Sequence, residues 1–175
     1  MKSTIVAIFL VLLAGCVAPQ QGSFIPTPEM AVSFEMGKDP RTWDSQHMDG
    51  NRDGMIMEFV PEGDSIEDWK EMVAQQIVFT PLSLSEYASN WKESLKQADP
   101  DINITATTSA DGSIIVEYNS IKANETSIRK LMKGSDGIYM LAYHVRPDQK
   151  QDDTFILWTD IVSDSSVRSN PVLRR

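Results

Sequence analysis

Residues able to do chemistry are few in this sequence, and the sharpest cluster is Asp49-Gly50-Asn51-Arg52-Asp53-Gly54. It matches the opening of a calcium loop, D-x-N-x-D-G. Calcium requires roughly six to eight oxygen ligands, and alternate oxygen-bearing side chains around a glycine turn supply the first three. Ile56 falls where such loops place an apolar residue. The match stops there. The twelfth position is Val60 where a bidentate Glu is needed, Glu58 and Glu62 are out of register, and no helix precedes the loop. Gly, Asn and Asp also tolerate the backbone angles of a tight turn, so the expected reading is a hairpin leading into a strand. Asp49, Asn51 and Asp53 remain the metal candidates the sequence offers, and no metal or cofactor is expected.

The other reactive types are scattered. His47 and His144 are the only histidines. A zinc site needs three or four ligands, and the single cysteine is committed elsewhere. His144 lies in an apolar run and is expected to be packed or at a sheet edge. Acidic pairs are plentiful: Glu67-Asp68, Glu62 with Asp64, Asp99 with Asp101, and Asp152-Asp153. A general acid/base pair needs two carboxylates converging in one cleft from different environments. These pairs fall in loops or at helix starts, where the helix dipole already accounts for them. Trp69, Trp91 and Trp158 lie on stripes of helical spacing and are expected to pack the core, with a ligand groove as the alternative. Arg146 with Lys150, and Arg168 with Arg174-Arg175, are read as solvated surface. The chain carries no nucleophile elbow, no phosphate-binding loop and no dinucleotide glycine pattern. No catalytic set is expected.

The chain has 175 residues, one domain's worth, with 16 basic and 25 acidic side chains and a net charge of -9. Hydrophobic residues make up 41% and charged residues 23%, which excludes collagen-like, low-complexity and polytopic membrane classes. An isoelectric point near 4.6 argues against nucleic acid, whose phosphates need a basic surface. One cysteine permits no internal disulfide. That cysteine is Cys16, in MKSTIVAIFLVLLAGC. Lys2 makes a short positive region. Ile5 to Leu13 is apolar but too short to span a bilayer of about 30 Å, and small residues precede the cysteine.

Leu13-Ala14-Gly15-Cys16 resembles the lipobox of bacterial lipoproteins. The resemblance implies cleavage between Gly15 and Cys16 and acylation of Cys16. Several acyl chains together hold a protein stably on a membrane. Removing the first 15 of 175 residues leaves 160, and loss of Lys2 brings the charge to about -10. Val17 follows the cysteine. By resemblance an Asp there marks inner-membrane retention, so the outer membrane is favoured, with the domain facing the periplasm. Residues 17 to 29, VAPQQGSFIPTPE, are proline-rich and aperiodic and read as a tether. The expected organisation is a signal peptide over 1–15, a lipidated N-terminus and tether over 16–30, one domain over 31–165, and a tail over 166–175.

The elements follow from periodicity. AVSFEM at 31–36 alternates as a strand, a weaker stretch follows near 43–48, and MIMEFV at 55–60 is a stronger strand ended by Pro61. Ile66, Trp69, Val73 and Ile77 have helical spacing after a Ser65 cap, so a first helix is expected over 66–78. Ser83 with Glu86 makes a capping box for a second, with Leu84, Tyr87, Ala88, Trp91 and Leu95 on one stripe. Strands then follow at 102–108, 114–120, 126–132 and 138–145, the last apolar on both faces and therefore central. Phe155, Trp158 and Val162 favour a final helix, although the β-branched content would also permit a strand. The expected fold class is α/β (α+β), a single antiparallel sheet flanked by helices.

This order resembles the Mog1/PsbP/DcrB-like α/β/α sandwich group. The residues that carry the resemblance are MIMEFVPEGDSIEDWKEM, SLSEYASNWKESLK and SIRKLMKGSDGIYMLAYHVR, within about 45–165. The resemblance implies a binding or assembly role. The function expected is therefore a non-enzymatic envelope lipoprotein that binds or helps assemble another envelope protein. A small-ligand or calcium-binding lipoprotein is the first alternative, and a hydrolase with an unrecognised site the second.

Overall fold

The computed structural model describes residues 27–170. Nine strands and two helices follow in the order β1 (Met30–Ser33), β2 (Trp43–Asn51), β3 (Gly54–Pro61), β4 (Glu71–Val78), α1 (Leu84–Ala98), β5 (Asn103–Thr108), β6 (Ile114–Ser120), β7 (Glu125–Lys133), β8 (Ile138–Val145), α2 (Asp152–Asp164) and β9 (Ser166–Ser169). β2 to β8 form one antiparallel sheet in the order β2-β3-β4-β8-β7-β6-β5, with β8 at its centre. β1 and β9 pair separately as a two-stranded ribbon. The mixed α+β class with an antiparallel sheet and flanking helices is the one expected, and β5 to β8 form the expected meander.

Three expectations are corrected. The segment 66–78 is not a helix: Ile66–Asp68 makes a single 3-10 turn and Glu71–Val78 is β4. Its apolar residues satisfy both periods. Val73 and Ile77 lie on one face of the strand, and Met72, Ala74 and Val78 on the other. Pairing with β3 on one side and β8 on the other decides the matter, because tertiary context overrides a weak local preference. Second, the strand expected at 31–36 ends at Ser33 and joins the ribbon rather than the main sheet. Third, the residues from 166 expected as a tail open with β9, whose Val167 packs against the core. The weak stretch near 43–48 is the start of a nine-residue edge strand.

The two faces of the sheet are covered differently. On one, Trp158, Ile161 and Val162 of α2 meet Val73, Ile128, Leu141 and Tyr143, and the ribbon residues Met30, Val32 and Val167 extend that cluster. The Trp158 ring stacks on Tyr143 at 5.1 Å and takes Trp43 edge-on at 5.1 Å. On the other face α1 is set by its capping box, formed as expected by Ser83 and Glu86. Tyr87 and Trp91 pack over Val116, Leu131, Ile138 and Met140, and Leu95 over Ile102 and Tyr118. α1 thus lies above β6 and β7. Among the described residues neither α1 nor α2 lies over the β3–β4 half of that face.

Candidate functional site: the cleft beside α1

Strand alternation dictates what the uncovered half presents. On β3 the residues sharing the α1-side face are Gly54, Ile56, Glu58 and Val60, and on β4 they are Met72, Ala74, Gln76 and Val78; of these Val60, Met72 and Ala74 are buried, while Ile56, Glu58 and Gln76 face the cleft. His47 and Asp49 of β2 pair with Glu58 and Ile56 and bring the edge strand to the same face. Between this surface and α1 lies a cleft of about 480 Å³. That volume is within the usual range for a binding site. Tyr87, Trp91 and Leu95 form its α1 wall, Ile56, Glu58 and Gln76 its floor, and the β2–β3 hairpin one end.

A polar network closes the other end. Glu125 Oε1 accepts from the Tyr118 hydroxyl and lies 2.7 Å from His144 Nδ1. Arg129 donates to the Tyr118 oxygen at 3.1 Å and lies over the Trp91 ring at 4.1 Å from its centroid. Burial pushes the Glu125 carboxyl up, but His144, the Tyr118 hydroxyl and Arg129 outweigh it and hold the group below its ordinary value. Burial also raises the Tyr118 and Tyr87 phenols. Asp99 is engaged in the same way, accepting from the Ser120 hydroxyl at 2.5 Å and from the Asp101 amide at 3.2 Å.

Glu58 differs from these. Its side chain is 13% exposed, and its ion-pair neighbour is the His47 imidazole, with Nε2 4.0 Å from Oε2. Burial raises its carboxyl above the ordinary value, against the smaller opposing pull of His47 and His144.

The residues singled out from the sequence separate clearly. Asp49, Asn51 and Asp53 lie at the cleft rim, in the β2–β3 hairpin. Asn51 Oδ1 accepts from the Asp53 amide at 2.8 Å, and Asp49 Oδ1 from the Gly50 amide at 2.7 Å, so two of the three side chains serve the turn itself. Val60 is fully buried in β3. Among the described residues no group of three or more His, Cys, Asp or Glu is placed to hold a metal ion. His144 is fully buried beneath the Trp69 edge, while His47 is half-exposed at the rim. Of the three tryptophans, Trp158 is core and Trp69 stacks under Arg146 at 4.0 Å. Trp91 lines the cleft. Glu67-Asp68, Asp64 and Asp152-Asp153 lie outside it. Cys16 and the signal peptide lie outside the described residues.

Glu58, Glu125 and Arg129 were missed. A signal was available for Glu58, the one charge in the apolar strand MIMEFV, while Glu125 and Arg129 lie in the mixed segment ETSIRKLMK and carry no such mark.

No family model matches the chain, and no curated protein matches it. Among solved structures the chain is similar to the solution structure of cyanobacterial PsbP (CyanoP) from Synechocystis sp., with a TM-score of 0.42 and 10% identity, over 89% of this chain and 98% of that one.

Proposed function

We propose that this chain is a lipid-anchored protein of the bacterial cell envelope whose α+β domain is a non-enzymatic binding module. Acylation at Cys16 and the tether hold the domain at the membrane, the outer membrane being favoured, and the domain holds or helps assemble an envelope protein. The observation that carries the binding role is the cleft of about 480 Å³ beside α1, open between that helix and the β3–β4 sheet face. The binding role is further supported by the way its polar groups are used. Glu125, Tyr118, His144 and Arg129 are bonded to one another at the cleft end, an arrangement that fixes a wall.

The test is site-specific photocrosslinking in cells, with the crosslinker at Ser94 or Gln76 in the cleft and at Ile156 on the exposed side of α2 as control. One dominant envelope protein captured from both cleft positions and not from Ile156 is the expected result. Equal capture from all three positions, or none from the cleft, removes the reading. A Cys16→Ser chain should lose lipid labelling and persist as uncut precursor, and normal labelling removes the anchor.

A further inference from the structure

We infer that the cleft receives a lysine or arginine side chain of the partner protein, its aliphatic stem along Trp91 and Ile56 and its charged head at Glu58; this rests on the binding role proposed above.

The argument starts from Glu58. A carboxylate taken out of water is costly unless it is paired and hydrogen-bonded. The other deeply placed carboxylates obey that rule. Asp39 has Arg41 and the Trp158 indole, Asp99 has Ser120, and Glu125 has Tyr118 and His144. Glu71 is the closest comparison. Its side chain is also 13% exposed, and it is held by Arg41 at 2.9 Å and by the Tyr143 hydroxyl at 2.6 Å. Glu58 at the same exposure makes no hydrogen bond with any described residue. It is the floor group of a cleft, at the position a guest would reach.

Charge and shape then select the guest. Asp49 and Asp53 stand with Glu58 on the hairpin side of the cleft. Arg129, the cation lining the opposite side, is committed to Tyr118 and Trp91. An anionic guest would meet three carboxylates, and a neutral apolar one would leave Glu58 desolvated, without a hydrogen bond and with only the rim imidazole of His47 at 4.0 Å. A cation on an apolar stem satisfies both the walls and the floor. Lys and Arg have that form, burying methylene stems along apolar surface while the head seeks an acceptor.

Two measurements test the pairing. The first titrates the purified protein with acetyl-Leu-Lys-Leu-amide and with its norleucine counterpart, followed by two-dimensional NMR. The lysine peptide should bind about tenfold more tightly and shift the Ile56, Gln76 and Trp91 resonances, and Glu58→Gln should erase the preference. Equal binding of the two peptides, or none up to about 10 mM, overturns the inference. The second repeats the Ser94 crosslink in Glu58→Gln and Glu58→Lys chains. Capture should fall about tenfold in Glu58→Gln and vanish in Glu58→Lys. The melting temperature of Glu58→Gln should hold or rise, since a largely buried carboxyl that no described residue hydrogen-bonds is removed. A lowered melting temperature assigns Glu58 a structural role and overturns the inference. Undiminished capture in both variants overturns it too while leaving the binding role intact. Absence of capture in the unaltered chain instead removes the binding role itself.

Discussion

At the residue scale the core is held by a charged knot that the sequence did not disclose. Asp39 is buried, accepts from the Trp158 indole at 2.8 Å and forms a two-pronged pair with Arg41. Arg41 also reaches Glu71, which takes the Tyr143 hydroxyl. The knot binds the segment before β2 to α2 and β4, three elements distant in the chain. Burial pushes the Asp39 carboxyl up, but Arg41 and Trp158 outweigh it and hold it below the ordinary value. Asp111 is drawn down to about 2 by Ser113 and Lys130, and Glu125 is also lowered. A carboxyl depressed in the folded state stabilises above its unfolded value, about 3.9 for Asp, and that contribution is lost as pH falls through the interval below it. The urea midpoint should therefore drop between about pH 4 and 2. Asp39→Asn should cost about 2 kcal/mol at pH 7 and flatten that drop, since one depressed group is gone. An acid limb as steep in Asp39→Asn as in the unaltered chain would count against Asp39. Arg41 and Asp39 were illegible beforehand because their partners are set by tertiary closure. Glu58 was legible in type, as a charge in an apolar strand, but Glu125 was not, because it opens a segment rich in polar residues.

At the element scale, legibility followed the number of independent signals. α1 had a capping box and an apolar stripe, and it formed as read. β8, apolar on both faces, is central and wholly buried. β4 had apolar residues that fit two periods, and as a strand it gives the cleft its Gln76 floor. α2 formed as the favoured helix. Its C-terminal end carries a device that spacing could not reveal. Lys130, almost fully buried on β7, donates to the carbonyls of Ser163 at 2.7 Å and Ser165 at 2.8 Å and pairs with Asp111 at 3.1 Å. The last carbonyls of a helix lack intrahelical donors and carry negative partial charge, so a buried ammonium there caps the helix from the sheet. Lys130→Met keeps the stem and removes the donor. It should cost about 2 kcal/mol and increase amide exchange in the last turn of α2 more than in α1. Equal exchange in both helices would deny Lys130 the role of cap.

At the scale of the whole molecule, the described chain closes on itself. β1 runs antiparallel to β9 with Met30 opposite Ser169 and Ser33 opposite Ser166. Asn170 clamps the entrance, its amide on the Glu29 carbonyl at 2.9 Å and its side chain on the Pro28 carbonyl at 3.0 Å. Glu29 and Met30 are further tied to Asp136 at the β7–β8 turn and to the Tyr139 hydroxyl. No local pattern could announce this, because the two strands are four residues each and stand more than 130 positions apart. Its consequence is mechanical. If Cys16 is the anchor, pull on the tether enters the fold at Pro28 and passes into the ribbon before it reaches the sheet. A strand pair loaded through one end needs its partner strand, so β9 resists what the anchor transmits. Ending the chain at Ser165 removes the ladder and the Val167 contact with the core, and leaves Met30 and Val32 without an opposing strand. The loss should be about 2–3 kcal/mol, or roughly 5–10 °C in melting temperature. The truncated chain should also be clipped by protease near residues 30–34, while the sheet core remains resistant. An unchanged melting temperature together with an uncut N-terminal segment would show that β1 is held by the core alone and that β9 bears none of the load.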